Sequence, residues 1–341
     1  MPDIPEIVVE GPDPLAPRIE GVSTSTAGVV GVAQQGPAEP TSVASYAEFA
    51  TVFGGAAGGS HLGDALRGFF ENGGRRAYVA RAADAGAPAL IAALDRLAPV
   101  DEVSLLVVPD ESAARPTVAD AVIDQCEQHG DRFAVLSAPA PARESAFAAA
   151  YGPWLDTASG AVPPVGHAAG VIARTDIERG LGRAPTGEAL AGVVGLAAGT
   201  PGAGERVNEI RDLRPQGRGI RVWGSRTLSD DPEWRYVNVR RLFIYLEESI
   251  DRGIQWVVFE PSGEALWARV RAAVSDFLLR TWQAGALAGA TADEAFWVRC
   301  DRTTMTQDDL DAGRLICLVG VAPLRPAESV VIGLRQIVIA P

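Results

Sequence analysis

Residues 103–139 read VSLLVVPDESAARPTVADAVIDQCEQHGDRFAVLSAP. The apolar run Val103–Val108 predicts a buried strand, 116–129 has the length of a helix closed by Gly130, and Phe133–Ser137 predicts a second strand. Strand, helix, strand is the unit of a parallel sheet, because parallel neighbours need a long crossover connection. The same rhythm extends toward the N-terminus. AGVVGVA (27–33) and RAYVARA (76–82) read as strands. SYAEFATVFG (45–54), HLGDALRGFFENGG (61–74) and PALIAALDRL (88–97) read as helical stretches, the first with a Ser45/Glu48 capping box. The expectation is an α/β domain with a largely parallel sheet.

Further along, the pattern changes. Alanine, glycine and proline crowd together between about 139 and 166 and again at 199–219, predicting loops and a domain junction. IRVWGSRTL (220–228) restores a strand and a turn. In VNVRRLFIYLEESIDRGIQWVVFEP (237–261), Val239, Leu242, Phe243, Leu246 and Ile250 recur at helical spacing. Gly253 is expected to end that helix as its C′ residue, and IQWVVF to form a short buried strand that stops at Glu260 and Pro261. Ser262 is expected to cap a second helix with Leu266, Val270, Val274, Phe277 and Leu278 facing inward. Arg269 and Arg280, eleven residues or about three turns apart, then share another face. FWVRC (296–300), a loop with the capping pair Thr306 and Asp309, and RLICLVGV (314–321) predict a strand, a short helix and a strand. Both ends hold isolated strand-like pieces: Ile7, Val8 and Val9 among prolines, and Val330, Val331, Ile332, Ile337, Val338 and Ile339 within VVIGLRQIVIA.

The 341 residues allow two domains, and 47% hydrophobic with 21% charged residues is a globular composition. Thirty basic against 43 acidic residues give a net charge of −13, which opposes attraction to phosphate backbones and anionic lipid. Nucleic acid is therefore not an expected partner. Every basic side chain except the histidines is arginine. No stretch approaches the ~18 apolar residues of a spanning helix, and the N-terminus lacks a signal-peptide pattern, so no direct membrane insertion and a cytoplasmic product are expected.

Motifs that carry chemistry are missing from the sequence. His61, His129 and His167 are far apart, with no HExxH pairing for zinc. There is no GxSxG elbow and no Walker sequence, and with no lysine there is no Schiff base. GAGERV (202–207) and GRGIRV (217–222) do not complete a dinucleotide fingerprint. Cys126, Cys300 and Cys317 show no metal spacing, and Cys300 and Cys317, on the strand-like runs FWVRC and RLICLVGV, read as buried thiols. No cofactor and no metal are expected. The remaining catalytic reading is an α/β hydrolase-like enzyme with the carboxylates Glu260 and Asp110 at strand ends.

Residues 218–301, through RGIRVWGSRTLSDDPEWRYVNVRRLFIYLEESIDRGIQWVVFEP and ALWARVRAAVSDFLLRTWQAGALAGATADEAFWVRCD, resemble the contractile tail sheath family of phages and phage-like injection systems. The resemblance continues in VPPVGHAAGVIARTDIERGLGRAPTGEAL (162–190), where it assigns His167 to a loop signature. It is also carried by ALRGFFENGGRRAYVARAA (65–83) and DAGRLICLVGVAPLRPAE (311–328). Only 84–160 is indistinct.

The resemblance implies a non-enzymatic subunit, of mixed α/β (α+β) fold, that assembles as stacked hexameric rings around an inner tube and contracts without nucleotide. It implies an N-terminal arm (1–21), an outer α/β domain (22–198), an inner C-terminal domain (199–326) and a C-terminal strand arm (327–341). The arms would pair with sheets of neighbouring copies, Arg269 and Arg280 are candidate tube contacts, and baseplate and tail-terminator or cap proteins are implied partners. Assembly would occur in the cytoplasm, as part of a phage tail or tail-like particle. A sheath terminator, forming rings without elongation, is a further alternative.

Overall fold

A computed structural model describes residues 17–327 apart from 56, 111–115, 201–203 and 205. The expected arm strands at Ile7–Val9 and Val330–Ile339 lie outside the described residues. The chain runs β1 (Thr26–Val32), β2 (Thr41–Val43), α1 (Tyr46–Phe53), α2 (Leu62–Glu71), β3 (Arg76–Ala82), α3 (Ala87–Leu97), β4 (Leu105–Val107), α4 (Pro116–His129) and β5 (Phe133–Ser137). It continues with β6 (Ala148–Gly152), β7 (Leu155–Thr157), β8 (Gly160–Val162), α5 (Val165–Arg179), β9 (Val193–Leu196), β10 (Val207–Asp212), β11 (Ile220–Val222) and α6 (Val237–Gly253). The last elements are α7 (Glu264–Gln283), α8 (Ala292–Ala295), β12 (Phe296–Arg299), α9 (Gln307–Asp311) and β13 (Leu318–Val321).

Two compact units result, one of Ser23–Ile244 with the segment from Leu324, the other of Tyr245–Pro323 with the segment ending at Val22. The first contains an eight-stranded sheet in the order β11-β10-β6-β5-β4-β1-β3-β2. Its six inner strands run parallel, and β2 and β11 pair antiparallel at the edges. Side chains alternate between two cores, as a pleated strand covered on both faces requires. Ala27, Val29, Leu105, Val107, Phe133 and Val135 face one core, with Leu66 and Phe69 of α2 and Ala169 and Ile172 of α5. Val30, Leu106, Ala134 and Leu136 face the other, with Leu90 and Leu94 of α3 and Val122 and Ile123 of α4. Each large buried side chain contributes about 1.5–3 kcal/mol.

The expected loop region 139–166 contains β6, whose five residues are all buried in the middle of the sheet. Three alanines give no β-branched signal, and only position between β5 and β10 makes this segment a strand. β10 likewise falls inside the expected loop at 199–219. A second, three-stranded sheet, β8-β7-β9, uses residues of the same region.

α2 and α5 approach backbone to backbone. A Cβ on Gly166 would lie 2.1 Å from the carbonyl oxygen of Ala65, and one on Gly170 would lie 2.5 Å from that of Phe69. This close crossing buries His167, which stands on α5 and not in a loop as the resemblance implied.

In the second unit, the α7 positions Leu266, Val270, Val274, Phe277 and Leu278 are buried as expected. Three local expectations fail. Residues 255–257 form a 3-10 turn and not a buried strand, with Val258, Phe259 and Glu260 exposed beyond it. Trp256 and Val257 are only half-buried there, too little burial to hold a strand. Gly253 ends α6 without a left-handed backbone; its missing side chain admits Ile19, whose Cγ2 would be 2.6 Å from a Cβ. Gly263, not Ser262, is the N-cap of α7, because the Ser262 hydroxyl accepts from Trp267 Nε1 at 3.2 Å.

Candidate assembly interface

β12 and β13 make an antiparallel pair with Phe296 opposite Val321, Trp297 opposite Gly320, Val298 opposite Val319 and Arg299 opposite Leu318. Gly320 is required by its partner: a Cβ there would sit 2.2 Å from Trp297 Nε1, so the indole lies across the neighbouring strand. Arg299 covers the same ring, its guanidinium carbon 5.0 Å from the centroid. Arg271 of α7 donates to the carbonyl of Cys300 at 3.2 Å and fixes the end of β12 to the helix behind it.

Two strands alone are marginal in water, and their outer edges present unpaired amides and carbonyls. Among the described residues β12 and β13 have only each other as sheet partners, apart from a bridge between Leu287 and Pro323 past the end of β13. Trp297, Leu318 and Val319 are exposed apolar side chains on this sheet. A short sheet with uncovered apolar residues and no further strand among the described residues has the chemistry to pair with an added strand.

The face of α7 carries the two arginines singled out from the sequence. Arg269 lies over the Trp256 ring at 4.5 Å and 3.9 Å from a Glu260 carboxylate oxygen. Arg280 pairs with Asp276 at 3.0 Å and donates to the Ile19 carbonyl at 3.1 Å. Each side chain keeps about a quarter of its surface exposed, 25% and 29%. Next to Glu260 in the chain, Phe259 is fully exposed at φ +73°, a backbone region that costs a non-glycine residue about 1–2 kcal/mol. Sequence reading placed this residue in a buried strand, and its apolar character concealed the exposed turn.

The signature at 162–190 is structural inside the first unit. Arg241 of α6 forms a two-pronged pair with Asp176 of α5, at 2.6 and 2.9 Å, and both side chains are about 95% buried. Burial raises the Asp176 carboxyl pKa, and the Arg241 guanidinium opposes that shift. His167 is held well below its ordinary value, at about 4, because burial disfavours the charged ring; Asp64 acts weakly in the other direction.

Neither of two cavities contains the carboxylates of the hydrolase reading. A groove of about 780 Å³ is walled by Arg206, Arg211, Arg218 and Trp223, and a cavity of about 120 Å³ by Asp64, Arg67, Glu71 and His167. Asp110 spends one oxygen on the Ser60 hydroxyl at 2.6 Å and the other on the His61 amide at 2.9 Å. Glu260 is on the exposed turn of the other unit, so its placement at the end of a buried strand is corrected. No cluster of three or more metal-ligating side chains and no helix able to cross a membrane occur among the described residues.

Residues 83–228 match the phage tail sheath protein central domain and 229–336 the phage tail sheath C-terminal domain. Among solved structures, the chain is similar to the anti-feeding prophage helical sheath in its contracted state, at 33% identity and TM-score 0.83 over 98% of this chain and 100% of that one. It is similar to the sheath complex of the PVC extracellular contractile injection system in the contracted state, at 31% identity and TM-score 0.82, covering 98% of both. A chain of the anti-feeding prophage baseplate structure gives 32% identity and TM-score 0.80 over 98% of this chain and 99% of its own length. Comparison with curated protein sequences gives no match.

Proposed function

The chain belongs to the contractile tail sheath family, and on that premise we propose that it polymerises with copies of itself as stacked rings around an inner tube and drives the tube forward by contracting. The observation that carries this reading is a chain similar over 98% of its length to subunits of contracted sheaths, whose β12–β13 pair has no further strand beside it among the described residues. In the proposal, the segments 1–21 and 327–341 add strands to that pair in neighbouring copies, so that backbone ladders tether subunits that move as rigid bodies. The unit containing Tyr245–Pro323 faces the tube, and the unit containing Ser23–Ile244 faces outward. Baseplate and cap proteins bound the polymer at its two ends, and assembly takes place in the cytoplasm before the particle acts. Contraction draws on surface buried between subunits and uses no catalytic group.

The test is electron microscopy of the purified chain, alone and with the tube protein, beside a variant lacking residues 1–16. Long striated hollow cylinders from the full chain, lost on truncation, are expected. Rings that never elongate would indicate a terminator, and compact particles under every condition would overturn the assembly reading.

A further inference from the structure

Continuing the β12–β13 register one step past Arg299 and Leu318 sets Cys300 opposite Cys317. Directly opposed residues in an antiparallel pair have Cα atoms about 4.5–5.5 Å apart, inside the span a disulfide bridges. The pairing brings the two thiols together, and each shifts the other's titration. Both cysteines are free, Cys300 fully buried and Cys317 half-exposed. Arg271, which holds the Cys300 carbonyl from α7, adds positive charge beside the pair. Interaction with Cys300 and the charge of Arg271 lower the Cys317 pKa and so favour its thiolate, whereas Cys300 is pushed up by interaction with Cys317 and by burial. Cys126 provides an internal contrast, buried in the other unit with its thiol pushed up by desolvation.

We propose that Cys300 and Cys317 form an oxidisable dithiol that small-molecule disulfides convert into an intrachain disulfide across the ends of β12 and β13, with Cys317 as the attacking and Cys300 as the resolving thiol. In the first step the Cys317 thiolate attacks one sulfur of R–S–S–R, forming a mixed disulfide and releasing RS⁻. In the second, Cys300 gives its proton to solvent and its sulfur attacks the Cys317 sulfur, releasing the second RS⁻. Two electrons pass from the protein dithiol to the oxidant, and the cross-link closes the 301–316 loop. Its consequence is a fixed register for the two strands. The inference rests on the juxtaposition of these thiols and is independent of the assembly reading.

The test uses the full folded chain and the aromatic disulfide DTNB. Two thionitrobenzoate ions per chain should be released with no adduct retained, the intact mass should fall by the mass of two hydrogens, and the tryptic peptides Cys300–Arg302 and Leu315–Arg335 should appear linked. In Cys317→Ser, the linked peptide should vanish and Cys300 should react at least tenfold more slowly than the wild-type pair. A stable adduct on Cys317, or separate alkylation of both cysteines after treatment, would overturn the dithiol. Equal reactivity of Cys300 in the variant would overturn the order of attack.

Discussion

Arg280 reaches from α7 to the main-chain carbonyl of Ile19 at 3.1 Å and thereby ties the segment ending at Val22 to the helix. Ile19 is itself fully buried, in the space left by the missing side chain of Gly253. The anchor includes this hydrogen bond, the buried Ile19 side chain and the Val22 amide, which donates to the Ser249 hydroxyl at 3.1 Å. Arg280→Ala is expected to cost about 1–2 kcal/mol and Ile19→Ala about 2–4 kcal/mol of local stability. Trypsin cleavage after Arg18, followed by mass spectrometry, should accelerate several-fold in both; an unchanged rate would show that the segment is held otherwise.

Arg269 and Arg280 also serve as the proposed tube contacts, and the two roles separate experimentally. Exposed and half-exposed ion pairs are worth about 0.2–1 kcal/mol each, weak enough to release as a sheath moves. Arg269→Glu with Arg280→Glu should abolish tube-templated assembly while the monomer keeps its circular dichroism spectrum. Normal assembly on the tube would remove both residues from that role.

The Asp176–Arg241 pair is buried, and removing one partner strands a charge. Arg241→Leu and Asp176→Asn are each expected to lower stability by about 3–5 kcal/mol, the first stranding the carboxylate and the second a guanidinium that cannot give up its proton. Arg241 also donates to the Thr24 carbonyl, so its loss additionally frees the residues before β1. Urea denaturation gives the comparison, and equal stability of Arg241→Leu and wild type would contradict the ionic assignment.

His167 makes the fold sensitive to acid. Its folded pKa of about 4 lies below the ordinary 6.5, so between those values the unfolded chain binds more protons and stability rises with pH. Lowering the pH from 7 to 4 should therefore remove roughly 3 kcal/mol through this residue alone. His167→Gln should show a correspondingly shallower loss of melting temperature over that window. Parallel pH curves for the two proteins would refute the assignment.

Phe259 combines full exposure with φ +73°. Phe259→Gly should stabilise the isolated subunit by about 1 kcal/mol, through relief of the left-handed strain. Differential scanning calorimetry measures it, and a fall in melting temperature would show that the aromatic ring packs in solution.

The parallel α/β core was legible in the order of residues, because Leu105–Val107, α4 and Phe133–Ser137 carry their own periodicity, length and closing glycine. So were the Ser45 cap of α1, the Thr306–Asp309 box of α9 and the buried stripe of α7, all of which depend on neighbours within four residues or one helix face. Family membership was legible too, through the long stretches around 162–190 and 218–301. Tertiary structure alone decided the rest. Ala148–Gly152 is a strand only because β5 and β10 flank it, and Val258–Glu260 is exposed because the second unit leaves that turn uncovered. The β12–β13 pair, the meeting of Cys300 with Cys317 and the Asp176–Arg241 bond join residues 17 to 65 positions apart. Local propensity acts over a few residues, whereas these partners are selected by which surfaces the folded chain brings into contact.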